Sequence, residues 1–149
     1  MALTTINRIT NSNLKIMTKE QFLTKENLVN ILSDGTYGNS YVSIKRPSQL
    51  CEQIKLDMGK DKYEALCLED IWAEILLRGG KLCIVDLEDE DDFGNCTEKL
   101  AGLEDFGTAF EKWRDERPQD YADFCTGHGD FYTGWSFIQY VQFGEVVYG

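Results

Sequence analysis

The sequence predicts an α+β fold in a single domain over residues 1–149, with about four helices packed on a small, mostly antiparallel sheet. A chain of 149 residues with 42% hydrophobic and 12% aromatic side chains can bury a core and is too apolar for a disordered segment. Short β-branched segments alternate with segments of helical periodicity. These segments lack the regular strand–helix–strand order of a parallel α/β protein.

The first half of the chain contains two predicted helices and one predicted strand. Residues 18–21 form a capping-box pattern, and the apolar spacing that follows predicts a helix ending near residue 33, which Thr24 could restart. Asp34-Gly35 followed by Tyr37-Gly38-Asn39 is typical of a turn. The alternating residues 41–45 predict a strand, and the spacing of four in residues 48–59 predicts a short helix.

The second half contains the clearest helix, at residues 68–78, followed by a strand at residues 81–85. The acidic residues after this strand are predicted to lead the chain out of the sheet. Thr97 is predicted to cap a further helix that continues through Trp113 and ends before Pro118. Residues 135–143 fit a helix or a strand, with residue types that favour a strand, and residues 145–148 are predicted to form a short terminal strand.

The net charge of −11 is unevenly distributed, at +3 over residues 1–50, −8 over 51–100 and −6 over 101–149. An acidic surface repels nucleic acid and anionic membranes and attracts basic protein surfaces. We find no apolar leader or membrane-spanning stretch and therefore expect a cytoplasmic protein. The cysteines contain no C-x-x-C pair and are predicted to be reduced thiols, mostly in the core (Cys51, Cys67, Cys83, Cys96 and Cys125).

Six of the seven residues from Asp86 to Asp92 are acidic. If extended, this run carries about one charge per 4 Å, close to the 3.4 Å axial spacing of phosphates in one nucleic-acid strand. A solvated loop is the alternative interpretation, but further acidic residues follow. Nearby aromatic residues, Trp113 and Phe93 among them, are suited to interfaces, with core packing as the alternative for each of them. The predicted partner-binding residues are Asp86, Glu88, Asp89, Glu90, Asp91, Asp92, Phe93, Glu104, Asp105 and Trp113.

An acidic run also raises the question of calcium binding. With Gly94 as the invariant glycine of an EF-hand, Phe93 occupies position 5 and Leu100 position 12, so the EF-hand pattern fails. The chain also lacks a phosphate-binding glycine loop and a nucleophile elbow. We therefore expect no cofactor and no enzymatic activity.

A divalent-metal hydrolase is the alternative that the sequence leaves open. Asp86 and Glu88 stand at a strand end, while His128 and Asp130 lie in a glycine-rich segment, and together they could orient a water on a metal ion. No Lys or Arg lies between residues 81 and 99 to bind an anionic substrate. An ordinary glycine-rich turn is the preferred interpretation of His128 and Asp130.

The basic residues of the first third could contact nucleic acid directly or could neutralise the acidic face. They are Arg8, Lys15, Lys19, Lys25, Lys45 and Arg46. The aromatic C-terminal segment gives a third hypothesis, a structural component of a larger assembly.

In composition, the acidic segments 86–92 and 104–123 resemble the antidefence proteins that phages and mobile elements use against restriction or CRISPR nucleases. This resemblance implies an inhibitor that occupies the basic, nucleic-acid-binding site of an effector. It implies no particular architecture, because such inhibitors have many unrelated folds. The basic first third departs from the pattern of a pure nucleic-acid mimic.

Overall fold

A computed structural model describes residues 16–149 and confirms the predicted α+β class. Within these residues the chain forms eight helices, more than the four expected, and a three-stranded sheet. None of these helices combines the length and the apolar character needed to cross a bilayer. The elements are α1 (Lys19–Phe22), α2 (Lys25–Thr36), β1 (Val42–Lys45), α3 (Ser48–Met58), α4 (Lys60–Glu64), α5 (Leu68–Leu77), β2 (Leu82–Glu90), β3 (Cys96–Ala101), α6 (Leu103–Glu116), α7 (Pro118–Cys125) and α8 (Phe131–Phe143).

The extra helices arise from local stop and start signals. Thr18 and Thr24 each cap a helix, so the predicted helix over residues 18–33 is divided into α1 and α2. Gly59, with a φ of 93°, separates α3 from α4. Pro118 starts α7 directly after α6, because proline fits the first turn of a helix and not its interior.

The sheet is antiparallel throughout, in the order β1-β2-β3. The predictions for β1, α3 and α5 are confirmed. Strand β2 begins close to where it was predicted but continues to Glu90, so residues 86–90 of the acidic run form the second half of the strand. The prediction that this run leaves the sheet is therefore wrong.

The helix predicted from Thr97 to Pro118 is confirmed over Leu103–Glu116, but its predicted start is wrong, because Thr97 lies within β3 and pairs with Asp86. Helix α6 begins six residues later, after Gly102. The Asp105 carboxylate accepts a hydrogen bond from the Gly102 backbone N–H (2.9 Å), and this contact marks the true start of the helix.

The C-terminal predictions of β-structure are wrong. Residues 131–143 form α8, whose first turn is capped by Asp130 through a hydrogen bond from the Thr133 backbone N–H (3.1 Å). Every residue from 133 to 141 is buried. A helix buried on all sides shows no amphipathic stripe, which explains why the sequence pattern was ambiguous. Residues 145–148 form no strand.

The core contains a cluster of aromatic rings from α1, α6 and α8. Phe22 stacks on Phe110 with ring centroids 4.1 Å apart, and Phe137 contacts both Phe22 and Trp113. The Trp113 indole N–H donates to Ser136 Oγ (2.9 Å), so the ring is buried without an unpaired polar group.

Helices α2 and α8 cross at two glycines. A Cβ atom on Gly134 would lie 2.2 Å from the backbone nitrogen of Gly35, and a Cβ on Gly35 would lie 2.6 Å from the carbonyl of Gly134. Only glycine at both positions allows this backbone approach. The predicted turn is confirmed at Tyr37-Gly38 but not at Asp34-Gly35, because the latter two residues lie inside α2.

Candidate functional site

Residues 87–93, here called the acidic arm, project beyond the edge of the three-stranded sheet. The pairing of β1 with β2 ends at Val42 and Asp86, and one further backbone hydrogen bond joins Leu87 N–H to the Tyr41 carbonyl (3.0 Å). Beyond this point, β3 is the only strand within residues 16–149 that pairs with β2. The acidic arm is therefore the outer part of a two-stranded ribbon.

A large β-bulge separates the arm from the regular sheet. Asp86 pairs with Thr97, and Glu90 pairs with Cys96, so the three residues of β2 between them have no paired residue on β3. Bulges redirect the side chains that follow them. Asp86 Oδ1 stabilises this bulge by accepting the Glu88 backbone N–H (3.0 Å), and Asp89 Oδ2 accepts the Thr97 hydroxyl (2.6 Å).

Asp91 organises the turn at the tip of the arm. Its Oδ1 accepts the backbone N–H groups of Phe93 and Asn95, both at 2.9 Å. These bonds, with that from Asn95 first, hold the pKa of Asp91 below its usual value. Gly94 adopts a φ of 82° to close the turn. Phe93 is 90% exposed at this tip, so an aromatic ring is presented between carboxylates.

Among the described residues, no basic side chain pairs with the carboxylates of the arm. Residues 88–92 are all exposed. Within residues 16–149, no Lys or Arg lies within ion-pair distance of any of these five carboxylates. The arm therefore concentrates unpaired negative charge in a short segment.

The acidic residues of α6 and α7 differ from those of the arm. Asp115 pairs with Arg114 (2.8 Å), and Asp120 pairs with Arg117 (2.9 Å). Glu111 lies 4.0 Å from Lys19. Three of the seven acidic residues of α6 and α7 therefore have a basic partner within 4.0 Å, whereas none of the five carboxylates of the arm has one among the described residues.

The structure places the other predicted binding residues away from the tip. Glu104 is exposed, and Asp105 caps α6, but both follow Ala101, which pairs with Leu82 at the opposite end of the hairpin. That end lies about 17 Å from Cys96 along β3. The base of the hairpin is instead basic, because Lys45, Arg46 and Lys81 border one depression there.

Two predicted contact residues are not accessible. Trp113 is fully buried in the aromatic core, and Asp86 is 4% exposed. The prediction that these two side chains contact a partner is therefore wrong. Trp113 is required for packing, and the carboxylate of Asp86 is directed to hydrogen bonds within the protein.

Beside the arm, one face of the sheet has a shallow groove of about 270 Å³ with both polar and apolar lining. The lining includes Val85, Leu87 and Cys96, together with the ion pair between Lys45 and Glu98 (2.8 Å). A surface that combines apolar and charged groups is suited to the aliphatic stem of a long basic side chain.

Contacts from the C-terminal segment support the arm, and no pattern in the sequence indicates them. Tyr148 donates its hydroxyl to Asp86 Oδ2 (2.8 Å), which raises the pKa of Tyr148 to about 12. Gln139 is 1% exposed, and its Oε1 accepts the backbone N–H groups of Val147 (2.8 Å) and Tyr148 (2.7 Å). We call these contacts of Gln139 and Tyr148 the tail brace. No spacing in the sequence relates residues so far apart.

The residues of the metal-hydrolase hypothesis serve separate structural roles. Asp130 caps α8, and the His128 ring lies 3.0 Å from the Thr126 hydroxyl. Asp86 binds Tyr148 and the backbone of the bulge. No group of three or more His, Cys, Asp or Glu residues in the described part of the chain is arranged to hold a metal ion.

The loop between α7 and α8 instead borders a polar cavity of about 410 Å³ against α2. Asn30, Asp34 and Cys125 are among its lining residues. Burial, followed by the charge of Asp130, raises the pKa of Asp34, and burial raises the pKa of the Cys125 thiol.

All five cysteines are free thiols. The expectation that they lie mostly in the core is wrong, because only Cys51 is buried and Cys67 is exposed.

The N-terminal bases have mixed environments. Arg8 and Lys15 lie outside the described residues. Lys25 approaches Glu74 at 3.7 Å, and Lys19 and Lys45 also have acidic neighbours, so these bases balance charge within the protein. Direct contact of the basic third with nucleic acid stays a prediction.

In comparisons with known proteins, no protein-family model, no curated protein and no solved structure matches this chain.

Proposed function

We propose that this protein is a non-enzymatic, cytoplasmic binding protein whose acidic arm occupies a basic, nucleic-acid-binding site of a partner protein or nucleoprotein. The observation that carries the proposal is the unpaired charge of the arm. Five exposed carboxylates at residues 88–92 have no cationic neighbour among the described residues. A basic groove would supply the missing counter-charges.

The shape of the arm supports the same proposal. A narrow ribbon with a turn at its tip can enter a groove wide enough for a nucleic-acid strand, and Phe93 at the tip adds apolar contact area. The groove beside Leu87 can accept the stem of a Lys or Arg from the partner. By its resemblance in composition to antidefence proteins, we propose a CRISPR or restriction effector as the class of partner.

The first test neutralises only those carboxylates that make no hydrogen bond to the described part of the protein. The variant Glu88→Gln/Glu90→Gln/Asp92→Asn removes three charges and leaves Asp86, Asp89 and Asp91 to maintain the bulge and the turn. The matched control is Glu52→Gln/Asp61→Asn/Glu64→Gln. It makes the same chemical changes at exposed positions of α3 and α4.

Binding to an oligoarginine peptide is measured by calorimetry over a series of salt concentrations. We expect wild type and control to bind alike, and the arm variant to bind at least about tenfold more weakly with a shallower salt dependence. A DNA-cleavage assay with host restriction and CRISPR effectors then tests inhibition, which the arm variant should lose. Equal loss of peptide affinity in the control and the arm variant would contradict a specific role for the arm.

A further inference from the structure

We propose that Tyr148 is a positioning residue that fixes the direction of the acidic arm through Asp86. The inference concerns how the binding site is held in place, and it rests on the proposed function of the arm. Neither the charge of Tyr148 nor a direct contact with the partner is required.

The Asp86 carboxylate is shared by two hydrogen-bond donors. Asp86 Oδ2 accepts the Tyr148 hydroxyl (2.8 Å), while Asp86 Oδ1 accepts the Glu88 backbone N–H (3.0 Å). Because Asp86 is 4% exposed, water cannot readily replace either donor. One buried side chain therefore connects the C-terminal segment to the unpaired residues of the bulge.

The Tyr148 ring packs against two other aromatic rings. It stacks on Trp135 with an interplanar angle of 10° and on Tyr41 with an angle of 19°. The carbonyl of Tyr41 accepts the Leu87 backbone N–H (3.0 Å). Tyr148 thus contacts two residues that hold the start of the arm. Its hydroxyl binds Asp86, which accepts the Glu88 N–H, and its ring stacks on Tyr41, whose carbonyl accepts the Leu87 N–H.

The backbone of Tyr148 is itself held by the Gln139 side chain. Gln139 accepts its backbone N–H (2.7 Å) and donates to its backbone carbonyl (3.1 Å). A buried amide that makes both bonds fixes the path of the tail as a neighbouring strand would. The support for the arm therefore begins on α8, in the centre of the protein.

The arm needs this support because three of its residues have no paired neighbour on β3. An arm held in one direction loses less conformational entropy on binding than a mobile one. Loss of the Tyr148 hydroxyl should therefore weaken binding without changing the number of charges that contact the partner.

The test compares Tyr148→Phe with Tyr132→Phe, which removes the hydroxyl of a tyrosine that is 65% exposed. Amide hydrogen exchange is measured in the full chain. In Tyr148→Phe we expect the Glu88 amide to exchange about tenfold faster, while the Phe93 and Asn95 amides, held by Asp91, remain unchanged. Gln139→Ala, which releases the tail at its other contact, should reproduce this pattern.

Affinity for oligoarginine provides the second readout. Tyr148→Phe should bind about threefold more weakly with an unchanged salt dependence, whereas the charge-neutralised arm variant changes the salt dependence. An unchanged Glu88 exchange rate in both Tyr148→Phe and Gln139→Ala would overturn the positioning role, even if the arm binds the peptide. Failure of the wild type to bind the peptide would overturn the proposed function, and the exchange rates would still decide whether Tyr148 positions the arm.

Discussion

Asp86 and Tyr148 join two segments that are 62 residues apart in sequence. Their neighbours in the acidic run have different roles, because Asp91 accepts the backbone hydrogen bonds that shape the turn, whereas the side chains of Glu88, Glu90 and Asp92 make no hydrogen bond within the described residues. The sequence could predict that this run is acidic and follows a buried strand. It could not show that Asp86 is buried while the others are exposed, because the burial of Asp86 depends on a hydrogen-bond donor 62 residues away.

At the residue scale, the hydrogen bond between Tyr148 and Asp86 predicts a pH dependence. The bond, with smaller effects of burial and of the Asp86 charge, raises the pKa of Tyr148 to about 12 from about 10. Nearby Asp89 and Glu88 add to this effect. Because the folded state holds the proton more tightly, the stabilisation is fully present below about pH 10 and is lost as the pH rises through 12.

Titration by ultraviolet absorbance, compared between wild type and Tyr148→Phe, should assign the highest tyrosine pKa to Tyr148. The stability difference between the two proteins should shrink between pH 10 and 12. A Tyr148 that titrates near pH 10 would contradict the hydrogen bond.

At the scale of elements, the crossing of α2 and α8 shows what sequence patterns can and cannot predict. Amphipathic spacing was sufficient for α3 and α5, since each presents one face to the core. It was insufficient for α8, which is buried on all sides, and Gly35 appeared to belong to a turn. A glycine that permits backbone contact with another helix has the same sequence signature as a glycine that ends one.

This crossing predicts a strong effect of Gly134→Ala. A Cβ there would meet backbone atoms of Gly35 at 2.2–2.7 Å, and backbone cannot move aside as a side chain can. We expect destabilisation of about 3 kcal/mol or more in urea unfolding. Gly107→Ala in α6 is the control, because its Cβ would meet side-chain atoms of Leu23 and Lys19 at 3.3 Å and alanine favours the helix. Similar unfolding midpoints for the two variants would show that the helices do not cross at the glycines.

At the scale of the whole molecule, the charge distribution is more local than the sequence predicted. A single anionic face was expected to continue from residue 86 to residue 123. Instead, Asp115 and Asp120 have basic neighbours, and the base of the hairpin carries Lys45 and Lys81. Net charge can be counted from sequence, but its compensation depends on which side chains the fold brings together.

The unpaired arm should therefore make the stability of the whole protein sensitive to salt. Moderate salt screens repulsion among exposed like charges, so we expect the urea midpoint of the wild type to rise with added NaCl. The arm variant Glu88→Gln/Glu90→Gln/Asp92→Asn should have a midpoint higher by roughly 0.2–0.5 M in low salt and a smaller salt response. The α3–α4 control variant should retain most of the salt response. Equal responses in both variants would indicate that repulsion is spread evenly over the surface.

The distance in sequence between the arm and the tail brace also has a consequence for biosynthesis. The ribosome adds about 5–20 residues per second, so Tyr148 is polymerised about 3–12 s after Asp86. During that interval the nascent chain carries the carboxylates of the arm without the hydrogen bond between Tyr148 and Asp86 that fixes the direction of the arm. Any basic molecule encountered beside the ribosome would therefore meet the charge of the arm before its final direction is established.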